Sequence, residues 1–378
     1  MRRYPAVFMR GGTSKALVFH AADLPEDRSQ WDRLFLAAMG SPDPSGRQLD
    51  GMGGGISSLS KVCVVGPPTH PDADVDYTFA QVQVTSAAVD YGGNCGNMSS
   101  AVGPFAVDEG LVSPKDGEVV VRIHNTNTGK IIHSTFWVRD GQAVTEGGYS
   151  IDGVAGTGSP IRLDFLDLGG AATGLLLPTG NVVDTLSVAD APSVIVSMVD
   201  AANPCVFVEA GALGLDGTEL PEHIESLPEH LQRLESIRQA ASVAMGVAPT
   251  TDAAALNRLV PFVAVVARSA PYSTLSGRRV AVDDTDLLVR FLSSGQPHRA
   301  VPVTGAMCSA IASRVPGTVV HAALGGPDHP TIRLGTPSGV LEVNASVTTD
   351  GPAPQLYRAD FASTYRTARR LFEGRVLA

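Results

Sequence analysis

A single cysteine stands in a stretch rich in glycine and asparagine, Asp90-Tyr-Gly-Gly-Asn-Cys-Gly-Asn-Met-Ser-Ser-Ala-Val-Gly-Pro-Phe-Ala106. After Cys95, four apolar residues between Met98 and Phe105 recur at the i, i+3, i+4 and i+7 spacing of a helix face. The pattern predicts that Cys95 lies at or just before a helix N-terminus, where unpaired backbone N–H groups and the helix dipole stabilise a thiolate and attract anions. We therefore expect Cys95 to be reactive or to face a ligand.

A buried structural role is the alternative for a lone cysteine. Structural cysteines lie inside apolar runs, whereas the glycines around Cys95 let a ligand approach bare backbone. Pro104 lies inside the predicted helix, where it removes one hydrogen bond and crowds the preceding turn. A helix with that defect needs packing on several sides, so we predict a buried central helix.

Lysine is scarce in this chain. Of 28 lysine and arginine residues, only Lys15, Lys61, Lys115 and Lys130 are lysine. Lysine, unlike arginine, can lose its proton near neutral pH, so each lysine is a candidate for chemistry, although a surface position is the simpler interpretation for Lys115 and Lys130. Lys61 follows a glycine-rich segment and precedes the apolar run Val62-Cys-Val-Val65, which predicts a buried strand. Loss of hydration there favours a neutral amine, so Lys61 is a candidate general base.

A glycine turn near the N-terminus, Arg10-Gly-Gly-Thr-Ser-Lys15, joins two predicted strands at residues 4–9 and 16–20. The backbone N–H groups of this turn and the hydroxyls of Thr13 and Ser14 can form a cradle for a carboxylate. An ordinary hairpin turn is the alternative. The spacing of a phosphate-binding Walker loop is absent.

Length and composition narrow the class of protein. A chain of 378 residues is typical of two domains, and we expect one at residues 1–182 and one at 183–378. With 44% apolar and 17% charged residues, no apolar run long enough to span a bilayer and no signal-peptide pattern, we expect a compact cytoplasmic enzyme. The net charge of −10 leaves no basic field for nucleic acid, and the four cysteines have neither zinc-site nor disulfide spacing.

The remaining patterns outline two similar halves. Strand, glycine turn and small-residue helix recur at Val301 to Ala312, with Thr304 and Gly305 at the predicted helix N-terminus. This repeat indicates a duplicated domain with two helix N-termini facing one cleft. We also predict a linker at 171–184, helices at 28–39, 221–245 and 285–292, and strands at 75–89, 118–125, 130–139, 193–199, 203–208 and 260–268.

Seven blocks together resemble one known family, that of the 2-methylaconitate cis-trans isomerases (PrpF), whose relatives include 4-oxalomesaconate tautomerases and methylitaconate isomerases. The blocks match in order over nearly the whole chain: Met9–Lys15, Ser58–Val62, Tyr91–Ala106, Asn125–Gly129, Asn203–Pro204, Thr304–Gly305 and Pro337–Gly339. The resemblance implies an α+β fold of the diaminopimelate epimerase type, in which two similar domains each place a β-barrel-like sheet around a central helix.

The resemblance also implies an activity and a site. The activity is cofactor-free proton transfer on an unsaturated di- or tricarboxylate, without a metal ion, and the catalytic residues are Lys61 and Cys95. Which of the two acts as base and which as acid stays open. The residues expected to bind substrate are Thr13, Ser14, Asn94, Gly96, Asn97, Met98, Thr304, Gly305 and Ser338.

Two features keep other functions in view. Thr336 stands where relatives commonly carry histidine, which leaves the substrate preference open. A two-base amino-acid racemase would use one cysteine from each half, but Cys308 lies off the second glycine turn, so we expect this function less. A non-catalytic protein that binds organic acids is the third possibility. We expect a small polycarboxylate ligand, no nucleic-acid or membrane partner, and leave a homodimer open.

Overall fold

The computed structural model describes residues 2–188, 191–324, 331–350 and 356–378. Its helices are α1 Trp31–Met39, α2 Gly96–Asp108, α3 Pro221–Glu225, α4 Pro228–Ala244, α5 Thr251–Leu256, α6 Val303–Ser313 and α7 Val319–Leu324. Its strands are β1 Arg3–Gly11, β2 Ser14–His20, β3 Lys61–Gly66, β4 Val75–Val82, β5 Val89–Asp90, β6 Gly117–Asn125, β7 Lys130–Arg139, β8 Gln142–Ala143, β9 Ile161–Leu166, β10 Asp184–Val188, β11 Ala191–Ala201, β12 Asn203–Glu209, β13 Phe262–Arg268, β14 Tyr272–Ser273, β15 Arg279–Val280, β16 Leu287–Ser293, β17 Gln296–Pro297, β18 Thr331–Thr336, β19 Gly339–Thr348, β20 Arg358–Arg366 and β21 Ala368–Leu377.

The chain forms two compact units, and their boundary differs from the predicted one. The first unit contains the residues up to Asp164 together with Tyr365–Ala378, and the second is Phe165–Thr364. The C-terminal segment belongs to the first unit because β21 pairs antiparallel with β1. Such a pairing joins the two ends of the chain, so no local pattern in the sequence reports it.

The segment 171–184, predicted as a linker, is part of the second unit. The buried carboxylate of Asp200 accepts hydrogen bonds from the backbone N–H groups of Ala172 and Thr173, at 2.8 and 2.7 Å. Glycine and proline in this segment therefore mark an irregular but anchored connection rather than a boundary between domains.

Both units use the same order of strand pairing. In the first unit the pairs β1/β2, β3/β4 and β6/β7 are antiparallel, while β2/β3 and β4/β6 are parallel. In the second unit the pairs β11/β12, β13/β16 and β18/β19 are antiparallel, while β12/β13 and β16/β18 are parallel. The predicted duplication is confirmed by this shared alternation.

A buried helix occupies the same place in each unit. Every residue of α2 from Gly96 to Val107 is buried, including Pro104, and every residue of α6 is buried. Packing on all sides compensates for the hydrogen bond that Pro104 removes. The prediction of a buried central helix that begins next to Cys95 is confirmed.

An amphipathic helix covers the other face of each sheet. In the first unit, α1 packs against alternate residues of the strands, among them Val62 and Val64 of β3. Because side chains alternate across a strand, Lys61 and Cys63 point to the opposite face, against which α2 packs. In the second unit, α4 covers the corresponding face, with Leu234 and Ile237 against β12 and β13. The strand period thus directs Lys61 toward the central helix.

One secondary-structure prediction is wrong. The segment Thr285–Leu292, predicted as a helix, contains the strand β16, which lies between β13 and β18. All residues of Leu287–Ser293 are buried. A short continuous apolar run fits a buried helix and a buried strand equally well, and tertiary pairing decides between them. No helix among the described residues is long and apolar enough to cross a membrane.

Candidate active site

Lys61 is a buried lysine that has an amide, not a carboxylate, as its hydrogen-bond partner. Its side chain opens β3, is 6% exposed, and donates from Nζ to Oε1 of Gln81 at 2.6 Å. The Nζ atom also lies 5.0 Å from the centre of the Phe79 ring. No carboxylate of the described residues forms an ion pair with Lys61. Since lysine is almost never buried unless paired with an acid, this placement indicates a functional position.

Gln81 holds the Lys61 amine in place, and no pattern in the sequence predicts this contact. Its Nε2 donates to the backbone carbonyls of Ser57 and Ser60, at 3.1 and 3.0 Å. These two bonds fix the amide so that the oxygen faces Nζ. The register pairs Gln81 directly with Lys61 across β3 and β4, and a strand pairing of this kind has no local signal in the sequence.

Cys95 is the residue at which the central helix begins. It has an extended backbone immediately before α2, is 8% exposed, and its side chain makes no capping hydrogen bond. Its carbonyl accepts from the backbone N–H and the hydroxyl of Ser99, at 2.9 and 3.2 Å. The helix is therefore closed by backbone and serine groups, and the sulfur is not used in capping.

Cys63 and Tyr77 connect the surroundings of Lys61 and Cys95. The Cys63 Sγ lies 3.8 Å from the Tyr77 hydroxyl, which in turn donates to the Cys95 carbonyl at 3.5 Å. Burial raises the pKa of Cys63, and Cys95 raises it further, while Tyr77 and Lys61 lower it. Burial likewise raises the pKa of Tyr77. Cys63 lies two residues after Lys61 on β3, so the contacts of Cys63 and Tyr77 connect the strand that carries Lys61 to the backbone of Cys95.

The turn that follows β6 anchors the cysteine loop. Asn125 donates from Nδ2 to Oδ1 of Asn94 at 3.2 Å, and Asn127 donates from Nδ2 to the Tyr91 carbonyl at 2.8 Å. The Oδ1 atom of Asn125 also accepts from the hydroxyl of Thr128 at 2.8 Å. Asn94, predicted to bind substrate, has this positioning role in the structure.

The β1–β2 turn lies directly against the first turn of α2. The backbone N–H of Thr13 donates to Oδ1 of Asn97 at 3.3 Å. A Cβ atom on Gly11 would lie 2.6 Å from the Asn97 carbonyl oxygen, so only glycine allows this approach. The hydroxyl oxygens of Thr13 and Ser14 are buried and have no hydrogen-bond partner among the described residues. The structure thus brings three predicted binding residues, Thr13, Ser14 and Asn97, to the start of the central helix.

Arg366 also contacts the start of the central helix, and no pattern in the sequence predicts this contact. Its guanidinium donates from Nε to Oδ1 of Asn97 at 3.2 Å and from Nη1 to the Tyr365 carbonyl at 2.8 Å. The side chain is 4% exposed, and burial lowers its pKa to about 10, so it remains charged at neutral pH. Nothing in the local sequence distinguishes Arg366 from other arginines of the C-terminal strands.

Gly96 and Met98, also predicted to bind substrate, occupy the first turn of α2 with their side-chain positions buried. The Met98 side chain is fully buried. The backbone N–H groups of these two residues lie in the first turn of the helix, and the binding roles of Gly96 and Met98 remain predictions.

The predicted binding residues of the second unit have structural partners there. Thr304 accepts at Oγ1 from Nδ2 of Asn203 at 3.0 Å. A Cβ atom on Gly305 would lie 2.6 Å from the Phe291 ring, which explains the glycine by packing. Ser338 donates to the Arg299 carbonyl at 2.7 Å. The binding roles of Thr304, Gly305 and Ser338 remain predictions.

Cys308 and Thr336 are held by backbone carbonyls of the second unit. Cys308 is fully buried in α6, and its Sγ donates to the Val199 carbonyl at 3.4 Å. The Thr336 hydroxyl donates to the Gly339 carbonyl at 3.0 Å. Within the described residues, no group of three or more histidine, cysteine, aspartate or glutamate side chains is arranged to hold a metal ion.

Comparison with known sequences identifies the family. The family model described as "PrpF protein" matches residues 1–378. The chain belongs to the PrpF family. A 3-methylitaconate isomerase of Eubacterium barkeri is 44% identical over 377 residues, which cover 99% of this chain and 97% of that protein. A 2-methyl-aconitate isomerase of Cupriavidus necator is 40% identical over 384 residues, which cover 98% and 96%. This PrpF protein is therefore an isomerase.

Solved structures confirm the fold. The crystal structure of a methylitaconate-delta-isomerase has a TM-score of 0.78 and 44% sequence identity, covering 99% of this chain and 95% of that chain. A probable proline racemase from Agrobacterium radiobacter K84 has a TM-score of 0.55 at 14% identity, covering 99% and 93%. The diaminopimelate epimerase-like fold predicted for this PrpF protein is confirmed by these two matches.

Proposed function

We propose that this enzyme isomerises an unsaturated di- or tricarboxylic acid of the methylitaconate, 2-methylaconitate or 4-oxalomesaconate type by moving a proton, without a cofactor and in the cytoplasm. The observation that carries the proposal is Lys61, a buried amine without an acidic partner among the described residues, on a strand that Cys63 and Tyr77 connect to Cys95 at the start of α2. The printed names of the relatives supply the substrate class.

The chemistry needs only a base, an acid and a site for negative charge. A carbon next to both an alkene and a carboxylate loses a proton to the base, and the electron pair of the broken C–H bond spreads into a dienolate. A proton then returns at the other end of the allylic system, or at the original carbon after rotation. No electrons leave the substrate, so the reaction requires no oxidant or reductant.

Lys61 is our choice for the base, and Cys95 for the acid or second base. Lys61 alternates between amine and ammonium, and the fixed oxygen of Gln81 orients Nζ in both states. Cys95 keeps a thiol that no helix cap consumes. The first turn of α2, with Asn97, Thr13 and Ser14, stabilises the carboxylates whose charge grows as the dienolate forms.

An exchange experiment in D2O tests the proposal. Wild-type enzyme is incubated with trans-aconitate and with methylitaconate, and NMR follows deuterium at the allylic carbons together with product formation. We expect exchange and isomerisation of at least one acid, which EDTA does not inhibit. Exchange only at the α-carbon of an amino acid indicates a racemase, and binding without any exchange indicates a non-catalytic organic-acid-binding protein.

Two variants separate the roles of base and acid in the same experiment. If Lys61 is the base, Cys95→Ala retains proton exchange at the original carbon but loses transfer to the new one, while Lys61→Ala loses both. The reverse pattern would assign the base to Cys95. EDTA inhibition that a divalent ion reverses would contradict the metal-free part of the proposal.

A further inference from the structure

Arg366 lies beside the proposed substrate site without an acidic partner. Its side chain is 4% exposed. Nε and Nη1 each have a partner, Asn97 Oδ1 and the Tyr365 carbonyl, while Nη2 makes no hydrogen bond with the described residues. A charged group removed from water without a counterion is costly unless something supplies the missing interaction.

Asn97, which accepts from Arg366, and the neighbouring residues Thr13 and Ser14 also have hydrogen-bond donors without partners among the described residues. Oδ1 of Asn97 accepts from two donors, Arg366 Nε and the Thr13 backbone N–H, and this fixes the orientation of the amide. The Nδ2 of Asn97 makes no hydrogen bond with the described residues. The hydroxyls of Thr13 and Ser14, on the same turn, have none either. Four side chains with unpaired polar atoms therefore meet at the N-terminus of α2.

Two other buried arginines serve for comparison. Arg290 is 2% exposed and also has an unpaired Nη2, but its Nε and Nη1 donate to three backbone carbonyls and its guanidinium lies 5.1 Å from the centre of the Tyr272 ring. Arg238 is 3% exposed and donates to the Glu235 carboxylate and to the backbone carbonyls of Ala254, Asn257 and Val260. Its charge is neutralised and its donors on all three nitrogens are used. Arg366 has neither feature, although it is buried to the same extent.

From these contacts we infer that Arg366 is a substrate-binding residue, which holds one carboxylate of the substrate through its free guanidinium edge together with Asn97, Thr13 and Ser14. Guanidinium N–H groups match carboxylate oxygens in geometry, and the unpaired hydroxyls and amide complete the donor set. The helix N-terminus adds a positive potential. This inference rests on the proposed function only for the class of ligand, an organic polycarboxylate.

Binding of saturated acids tests the inference without any reaction. The probes are tricarballylate, which has three carboxylates, and its two analogues that each lack one carboxylate, glutarate and methylsuccinate. Calorimetry measures their dissociation constants for wild type, Arg366→Gln and Arg366→Lys. The matched control is Arg238→Gln, which removes an equally buried arginine in the second unit.

We expect Arg366→Gln to weaken tricarballylate binding about 10- to 100-fold, and Arg366→Lys to weaken it less, because lysine keeps the charge but loses the planar fork. Wild type should lose affinity when one particular carboxylate is removed from the ligand, and Arg366→Gln should not. Arg238→Gln should lower thermal stability and leave the dissociation constants within about twofold, since its hydrogen bonds are all internal.

Equal loss of affinity for all three probes in both Arg366 variants would overturn the inference, because it indicates a structural role. So would unchanged affinity. If Arg366→Gln does not fold, the wild-type probe series and Arg366→Lys still decide. Isomerase activity is measured separately. An active enzyme whose affinity for the probes does not depend on Arg366 would contradict only the inference about Arg366. Binding that depends on Arg366, in an enzyme that does not isomerise its substrates, would contradict only the proposed function.

Discussion

The two units place different residues at matching positions of one scaffold. Lys61 opens β3 opposite the third residue of β2, and Phe262 opens β13 opposite the third residue of β12. Cys95 precedes the central helix of the first unit, whereas Pro302 precedes that of the second. At both of these equivalent places, the first unit has a side chain that can gain or lose a proton and the second has a side chain that cannot.

The anchoring of the turn on the central helix is shared by both units. In the first unit, the backbone N–H of Thr13, in the turn between β1 and β2, donates to Asn97, the second residue of α2. In the second unit, the side chain of Asn203, which follows the turn between β11 and β12, donates to Thr304, the second residue of α6. The order of strand pairing and the anchoring of the central helix are therefore common to both units. Lys61 and Cys95 have no counterpart at the equivalent positions of the second unit, which hold Phe262 and Pro302.

The largest effect is expected at Lys61. Lys61→Ala should lower kcat about 100- to 10,000-fold while tricarballylate still binds, because a group that acts in proton transfer contributes to rate far more than to affinity. Lys61→Arg should fail as well, since arginine keeps its proton. Lys115→Ala, at an exposed lysine, is the control. Steady-state kinetics decides: a Lys61→Ala variant with more than about a tenth of wild-type kcat would rule out Lys61 as base.

Cysteine labelling compares Cys95, at the start of α2, with the three other cysteines of the chain. Cys95 is 8% exposed, whereas Cys63, Cys205 and Cys308 are fully buried. Iodoacetamide should modify Cys95 at least about tenfold faster, and trans-aconitate should protect it. Burial raises the pKa values of Cys63 and Cys205, so a rise from pH 7 to pH 9 should leave both thiols protonated and unlabelled. Peptide mass spectrometry reads the result, and equal labelling of all four cysteines would remove Cys95 from the site.

Ser14→Ala should raise KM about 5- to 20-fold without loss of stability. The Ser14 hydroxyl has no internal partner, so its removal breaks no hydrogen bond of the fold, but it removes one donor for the substrate. Ser197→Ala is the control, because the Ser197 hydroxyl donates to the Val182 carbonyl and accepts from Val319. This control should lose about 1 to 2 kcal/mol of stability with KM unchanged. A lower melting temperature for Ser14→Ala would show a structural role for that hydroxyl.

The smallest effect is expected at the glycines inside the two helices. A Cβ atom on Gly103 would lie 2.7 Å from the Phe136 ring, and one on Gly305 would lie 2.6 Å from the Phe291 ring. The free-energy cost of overpacking should exceed the free energy gained from the higher helix propensity of alanine. Each alanine variant should therefore lose about 1 kcal/mol of stability with KM unchanged. Urea denaturation and kinetics test both. A raised KM at unchanged stability for Gly305→Ala would instead support the predicted binding role of Gly305.

Local patterns predicted the start of α2 and the strand after Lys61, because helix period, glycine content and apolar continuity are properties of neighbouring residues. The helix prediction for 285–292 is wrong because this segment is a continuous apolar run, which has no period that distinguishes a buried helix from a buried strand. Two hydrogen bonds of the candidate site could not be predicted from the sequence, that between Lys61 and Gln81 and that between Arg366 and Asn97. The first joins two paired strands and the second joins a strand to the central helix, and neither segment alone carries a pattern that reports such a contact.

The pairing of β21 with β1 has a consequence for synthesis of the chain. Translation completes the second unit, Phe165–Thr364, before it supplies the segment Tyr365–Ala378 that the first unit needs. During that interval one edge of β1 is open, and an open strand edge is a template for association with other chains. A chain that lacks Tyr365–Ala378 would therefore retain Lys61 and Cys95 but expose an unpaired strand edge, so β21 covers an aggregation-prone edge as well as completing the first unit.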